Sequence, residues 1–268
     1  YNQTLKDLLP LSLSSTPAVS IRKENEMWVA TGMLIHHLES FADSLVVTEE
    51  NEKPIGVIGG REIIENIFKN PTSEFFDKTK VIQVMNKDLT IISEKIKLGE
   101  LLEKWKQTRR AFSIMPNNLG GYSAISGRKL LEIGANCTTN LTISELPQKE
   151  VTTFDLNDTM RDIINLMLEK NTRKLRLKNT NNFISDRLII QTVAQDLNFF
   201  RNTTFLDQKI KKSFKLEEAK KISKDVNLAE ISKIMYGMLH PYIFFQDQVI
   251  TPWDICMALQ SDRIEFLG

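Results

Sequence analysis

The stretch Val249-Ile250-Thr251-Pro252-Trp253-Asp254-Ile255 shows the pattern on which the fold depends. Two apolar residues suited to a strand lead into a hydroxyl residue, and an acid follows three positions later at the start of a helical run. A Thr with an acid three residues on is also the pattern of a helix capping box, in which the pair satisfies unpaired backbone N–H groups. The stretch therefore predicts a strand that passes directly into a helix.

The same pattern occurs four times along the chain. Its key position is Gly59, Ser126, Ser185 and Thr251 in turn, so successive copies are 67, 59 and 66 residues apart. Upstream of each key position the sequence predicts the same elements: a short extended segment, an amphipathic helix and a further strand. We therefore predict four β-α-β-β-α copies of about 60 residues each.

The third copy has the clearest helix. Met160, Ile163, Ile164, Met167 and Leu168 form an apolar stripe at helical spacing, for which Asn157 or Asp158 is the predicted cap. The strands before the key positions are predicted at 44–48, 112–115, 175–177 and 242–245. The connection from 68 to 81 reads as a linker, because it contains Pro71-Thr72-Ser73.

A copy this small exposes one face of its sheet, so two copies are expected to pack sheet to sheet. We predict two modules. The first spans 5–136, with copies at about 8–70 and 79–136, and the second spans 137–268, with copies at about 143–200 and 205–268. The small, polar stretch 134–142 is their predicted junction.

Composition excludes several classes of protein. The mean hydropathy is −0.23, and no apolar run reaches the length of a membrane span. Lys and Arg number 35 against 34 Asp and Glu, a balance that disfavours a general nucleic-acid binder. Two cysteines, Cys137 and Cys256, are too few for a disulfide framework or a Cys-rich metal site. No signal peptide is recognisable in the sequence, so we expect a cytoplasmic protein.

The four copies resemble the cystathionine β-synthase (CBS) domain family, in which two tandem motifs form a Bateman module. The resemblance covers nearly the whole chain and implies an α/β (α+β) fold. Only the fourth copy keeps the family's Thr/Ser-x-x-Asp pattern intact, as Thr251 and Asp254. The acid position holds Glu62 in the first copy, Lys129 in the second and Leu188 in the third, and the first copy also has Gly59 in place of the hydroxyl.

The resemblance also implies a ligand, because sites of this kind bind AMP, ADP, ATP or S-adenosylmethionine. By this likeness Asp254 would accept the two ribose hydroxyls, and Thr251 with nearby backbone amides would hold the first phosphate. Ile250, Pro252 and Trp253 flank the motif, Ile222, Ser223 and Tyr242 would line the pocket, and His240, Arg173 and Lys174 would supply cations for phosphates. The resemblance requires no cofactor beyond this ligand and no metal.

These observations predict a regulatory protein rather than an enzyme, since the three histidines and the acids form no recognisable catalytic set. Binding of an adenosine-type ligand would be passed to an unidentified protein partner. A different hypothesis is a scaffold that dimerises or holds a partner without nucleotide, because three copies depart from the pattern. A nucleic-acid binder is a third hypothesis, which the charge balance disfavours. The sequence leaves open whether the modules join within one chain or between chains of an oligomer.

Overall fold

The fold was obtained as a computed structural model that describes residues 2–37, 43–147, 149–196, 200 and 204–267. The predicted repeat is present. The first copy contains the strand Ser20–Arg22, the helix Met27–His36, the strands Ser44–Thr48 and Pro54–Gly59, and the helix Gly60–Lys69. The second contains the helix Leu98–Thr108, the strands Phe112–Pro116 and Tyr122–Ser126, and the helix Gly127–Ala135.

The later copies follow the same order. The third contains the strand Thr153–Phe154, the helix Met160–Glu169, the strands Lys174–Leu177 and Asn182–Ser185, and the helix Asp186–Gln195. The fourth contains the strand Lys220–Lys221, the helix Leu228–Tyr236, the strands Ile243–Phe245 and Gln248–Ile250, and the helix Pro252–Ala258. The mixed α and β composition predicted from the sequence is thereby confirmed.

Within a copy, the strands pair as the connections require. In the first copy Ile21 lies opposite Val47 in a parallel pair, because a helix carries the chain back across the sheet, and Val46 lies opposite Val57 in an antiparallel hairpin. The fourth copy repeats this, with Lys220–Lys221 parallel to Ile243–Phe245 and Ile243 antiparallel to Ile250. The hairpin delivers each key position to the start of the second helix of its copy.

Two local predictions of elements need correction. The first strand of the second copy is reduced to a single bridge between Ile91 and Ile114. The third copy's first helix is capped by Thr159, whose Oγ accepts from the backbone N–H of Asp162, and not by Asn157 or Asp158.

The linker prediction is also wrong in part. The connection after the first copy contains two short helices, Ser73–Lys78 and Val81–Val84. Phe75 and Phe76 anchor the first of them, since both side chains are buried. Their two apolar rings supply the burial that a solvated linker would lack.

The chain divides into two compact units. Unit 1 consists of Tyr1–Ala18, Asp88–Glu150 and Lys220–Gly268, and unit 2 consists of Val19–Lys87 and Val151–Ala219. Unit 1 therefore holds the second and fourth copies, and unit 2 holds the first and third. The predicted division into 5–136 and 137–268 groups consecutive copies instead, so it describes a different grouping and stays a prediction.

Unit 1 has one hydrophobic core to which both of its copies contribute. Trp105 is fully buried there, and its indole N–H donates to Ser113 Oγ at 2.9 Å. Gly134 and Ser232 bring the helices Gly127–Ala135 and Leu228–Tyr236 close together, because a Cβ on Gly134 would lie 2.3 Å from Ser232 Oγ. The small side chains at this crossing decide how closely the two helices pack.

The segments outside the copies also pack in unit 1. Near the N-terminus, Pro17 bridges to Ser123 at the edge of the second copy's sheet. The predicted junction at 134–142 is not a loose connection, because Cys137–Thr139 forms a strand that pairs with Ile264–Phe266. In both segments, backbone N–H and C=O groups pair with a neighbouring strand rather than with water.

The core of unit 2 is notable for its aromatic contacts. Phe76 meets Phe200 edge to face with ring centroids 5.0 Å apart, and Phe200 meets Phe205 at 4.8 Å. Such pairs add to the stability that burial alone gives. Gly60 at the start of one helix faces Asp186 at the start of another, where a Cβ on Gly60 would lie 2.3 Å from Asp186 Oδ2.

Candidate functional site

The fourth copy places Thr251 and Asp254 at the start of the helix Pro252–Ala258. The backbone N–H and the hydroxyl of Thr251 each donate to Asp254 Oδ2 at 2.9 Å. This arrangement is the capping box that the sequence predicts, and Pro252 at the first helical position supports it. Asp254 is held in a fixed orientation, with its side chain only 9% exposed.

The other carboxylate oxygen of Asp254 has a partner that the sequence did not indicate. The ammonium group of Lys149 donates to Asp254 Oδ1. Lys149 is 105 residues away in sequence, and its side chain is 53% exposed, whereas that of Asp254 is nearly buried. No sequence signal marks this lysine, because the segment that carries it has neither a repeat position nor a helical pattern.

The capping box alone does not distinguish a binding site. Thr159 and Asp162 form the same box in unit 2, where the backbone N–H and the hydroxyl of Thr159 donate to Asp162 Oδ2 at 2.9 Å each. That box begins the first helix of the third copy and is exposed. Thr251 and Asp254 therefore differ from a plain cap in their burial and in the lysine on the second oxygen.

The remaining predicted residues of unit 1 differ in burial. Ile250 is buried in the core of unit 1, and Ile222 and Trp253 pack against that core from partly exposed positions. Tyr242 is also buried, at 6% exposure, and Pro252 is half-buried. Ser223 is exposed.

The predicted phosphate ligands are divided between the units. His240 lies in unit 1, half-buried, and its carbonyl accepts from the backbone N–H of Tyr242 at 2.8 Å. Arg173 and Lys174 lie in unit 2. There the Arg173 guanidinium pairs with the buried carboxylate of Asp186 at 3.5 Å, and Lys174 begins a strand. Arg173 thus has a carboxylate partner in its own copy.

The acid positions of the other three copies serve the fold. Glu62 caps its helix by accepting from the backbone N–H of Gly59 at 2.9 Å. Leu188 is buried and apolar. Lys129 is buried as well, and its ammonium donates to Ser15 Oγ at 2.9 Å and to Glu132 Oε1 at 3.0 Å. Of the three, only Glu62 is an acid, and its copy has Gly59 in place of the hydroxyl residue.

A cavity of about 400 Å³ lies beside Glu132 in unit 1. Besides Lys129, the Glu132 carboxylate accepts from the hydroxyls of Ser12 and Tyr236, which also line the cavity. Groups of the chain itself therefore occupy most of this carboxylate. Burial raises the pKa of Tyr236, and the negative charge of Glu132 raises it further.

The described part of the chain contains no group of three or more His, Cys, Asp or Glu residues arranged to hold a metal ion. Both cysteines are unpaired thiols in buried positions. Burial raises the pKa of Cys256, and the nearby charge of Asp254 raises it further. Across the same described ranges, no helix is both long and apolar enough to span a membrane.

Comparison with known proteins gives a clear result only at the level of the fold. No family model matches the sequence, and no curated protein matches it. A solved structure from Methanocaldococcus jannaschii, described as a candidate archaeal homologue of g-AMPK, matches with a TM-score of 0.73 and 14% identity. The match covers 96% of this chain and 99% of that one, so it includes all four copies.

Two further structures are similar to parts of the chain. An uncharacterised conserved protein from Pyrococcus horikoshii matches 81% of this chain and 91% of its own, with a TM-score of 0.52 and 10% identity. A CBS-domain containing protein from Agrobacterium tumefaciens matches 49% of this chain and 92% of its own, with a TM-score of 0.42 and 18% identity. Solved structures described as CBS-domain proteins are thus among the matches, and the fold of this chain is that of the Methanocaldococcus jannaschii protein.

Proposed function

We propose that this protein is a non-enzymatic regulatory module that binds an adenosine-type ligand at its fourth copy. The ligand class is an adenine nucleotide or S-adenosylmethionine, as the resemblance to CBS domains implies. Asp254 accepts ribose hydroxyls, and backbone N–H groups at the start of the helix Pro252–Ala258 hold the first phosphate, because both donors of Thr251 already bond Asp254 Oδ2. The phosphate contact from His240, which lies in the same unit, stays a prediction within this proposal.

One observation carries the proposal. The helix cap uses Oδ2 of Asp254, whereas Oδ1 holds only the exposed lysine side chain among the hydrogen bonds of the described residues. A carboxylate oxygen accepts about two hydrogen bonds, so Oδ1 can receive a hydroxyl without disturbing the cap. The sequence favours the same copy, because the second and third copies have Lys129 and Leu188 at the acid position and the first has Gly59 in place of the hydroxyl residue.

Regulation would follow from differential binding. A ligand shifts an equilibrium between two arrangements of a protein by the difference in its affinity for them. We propose that occupancy of the site acts on a partner protein in this way.

The test is a thermal-shift titration with AMP, ATP and S-adenosylmethionine. A ligand at about one hundred times its dissociation constant stabilises the folded state by about 2.7 kcal/mol, which gives a measurable rise in the unfolding midpoint. We expect such a rise with at least one of the three. No rise with any of them at millimolar concentration would contradict the proposal.

A scaffold without ligand is the second candidate. It is favoured by the second copy, where the ammonium group of Lys129 is held inside the fold by hydrogen bonds to Ser15 and Glu132. A scaffold predicts an oligomer whose population rises with protein concentration and no response to nucleotides. Light scattering across a dilution series separates the two candidates when it is combined with the titration above.

A further inference from the structure

Lys149 occupies the position at Asp254 that a ligand hydroxyl would need. Its ammonium donates to Oδ1, while the backbone N–H and the hydroxyl of Thr251 fill Oδ2. The four acceptor sites of the carboxylate are therefore reduced to one. A ribose diol offers two hydroxyl donors, so it binds Asp254 fully only if the lysine ammonium moves away.

The Lys149 side chain is able to move. It is 53% exposed and carries its charge on a flexible four-carbon stem. The Asp254 carboxylate is fixed by Thr251 and is 9% exposed. When a ribose displaces Lys149, Asp254 therefore exchanges the ammonium group for a hydroxyl. The positive charge of the lysine then stays next to the incoming ligand.

We propose that Lys149 competes with the ribose for Asp254 and thereby selects adenosine ligands that carry negative charge. This inference rests on the proposed function and names the ligand class of that site. A nucleotide phosphate gives the displaced ammonium a new partner, so the ion pair is replaced. Neutral adenosine breaks the pair without replacing it, and S-adenosylmethionine, with a net positive charge, is repelled by the released lysine.

The Lys6–Glu94 pair in unit 1 provides a matched comparison. Lys6 is 60% exposed and lies 2.7 Å from Glu94, whose side chain is 34% exposed. Both pairs join an exposed lysine to a carboxylate, but only Asp254 belongs to the repeat motif. Replacing Lys6 with methionine removes one positive charge from unit 1, as replacing Lys149 does. It leaves the repeat motif intact.

The experiment measures dissociation constants of AMP, adenosine and S-adenosylmethionine by titration calorimetry. The full chain is used as wild type and as the variants Lys149→Met, Lys149→Arg and Lys6→Met. We expect the wild type to bind AMP more tightly than adenosine or S-adenosylmethionine. Lys149→Met should reduce the ratio of AMP to adenosine affinity by about threefold or more, because adenosine binds better and AMP binds worse. Lys149→Arg should keep most of the ratio, and Lys6→Met should leave it unchanged.

Each outcome bears on the inference. The inference is overturned if the ratio of AMP to adenosine affinity is the same in Lys149→Met as in the wild type. It is also overturned if this ratio falls equally in Lys6→Met, since the net charge of the protein would then explain the effect. Only this inference fails if all three ligands bind, Asp254→Ala abolishes binding, and the ratio of AMP to adenosine affinity does not change when Lys149 is replaced. If no ligand binds to the wild type or to Lys149→Met, the proposed function fails with it. Adenosine binding that is detected with Lys149→Met and not with the wild type supports the competition directly.

Discussion

The ammonium group of Lys129 lies 3.0 Å from Glu132 Oε1, and the two side chains are 4% and 17% exposed. They are one turn apart on the helix Gly127–Ala135, so helical geometry brings them together. The same ammonium bonds Ser15, which ties the N-terminal segment to this helix. A position that holds an acid in the fourth copy has here become part of the packing.

Removing Glu132 should therefore destabilise the protein strongly. Glu132→Ala leaves the Lys129 charge buried with one hydroxyl partner, and we expect a loss of about 3 kcal/mol in the free energy of unfolding. Lys129→Met removes the buried charge and should cost about 1 kcal/mol. Urea denaturation of both single variants and the double variant measures this, and the double variant should lose less than the sum. Additive losses would show that the two groups do not interact.

The close contact between Gly134 and Ser232, where two helices cross, predicts how alanine substitutions there change the free energy of unfolding. Gly134→Ala should destabilise by about 1–2 kcal/mol, since its Cβ would lie 2.3 Å from Ser232 Oγ. Adding Ser232→Ala should restore part of the loss by removing that oxygen.

Gly32 is the control for helix propensity, because it lies inside the helix Met27–His36 and a Cβ there meets nothing within 4 Å. Gly32→Ala should stabilise by up to about 1 kcal/mol, as expected for an exposed helix interior. Equal effects of alanine at both glycines would contradict the close packing described at Gly134.

Local sequence pattern predicted the repeat well. The strand Ser44–Thr48 lies where its apolar run predicts it, and the hairpin before Thr251 delivers that residue to a helix start. These features depend on residues near in sequence, so periodicity and capping patterns contain them.

What the sequence did not predict depends on distant residues. The grouping of the second copy with the fourth follows from packing such as that of Gly134 on Ser232, which no local pattern encodes. The Lys149 contact to Asp254 spans 105 residues. Pro71 predicts a linker, whereas burial of Phe75 and Phe76 stabilises the helix Ser73–Lys78 in its place.

The Glu145–Arg263 ion pair predicts a dependence of stability on pH. The Arg263 guanidinium, with the backbone N–H and hydroxyl of Thr142, lowers the pKa of Glu145 from 4.5 to about 2. A depressed carboxyl pKa stabilises the folded state above the unfolded pKa, and this contribution is lost as the pH falls from about 4.5 towards 2. We expect Glu145→Gln to lose less stability than wild type across that window. Parallel pH profiles of the two proteins would contradict the role of this pair.

The two cysteines should react slowly in the folded protein. Cys137 and Cys256 are buried, and burial raises the pKa of both thiols, so little thiolate is exposed to a reagent at neutral pH. A thiol-specific chromogenic reagent should detect two thiols in urea and almost none in the native state. Rapid labelling of either cysteine under native conditions would show that its surroundings open readily.

The most direct test of the central claim compares two capping boxes in which a Thr makes the same two hydrogen bonds to an acid. Asp254→Ala and Asp162→Ala each remove an acid that accepts from a Thr backbone N–H and hydroxyl at 2.9 Å, so each should cost about 1 kcal/mol of stability. Titration calorimetry with AMP then separates a cap from a binding site. The account predicts that Asp162→Ala binds AMP like wild type and that Asp254→Ala does not bind it. Unchanged AMP binding by Asp254→Ala would contradict the claim that the fourth copy holds the ligand.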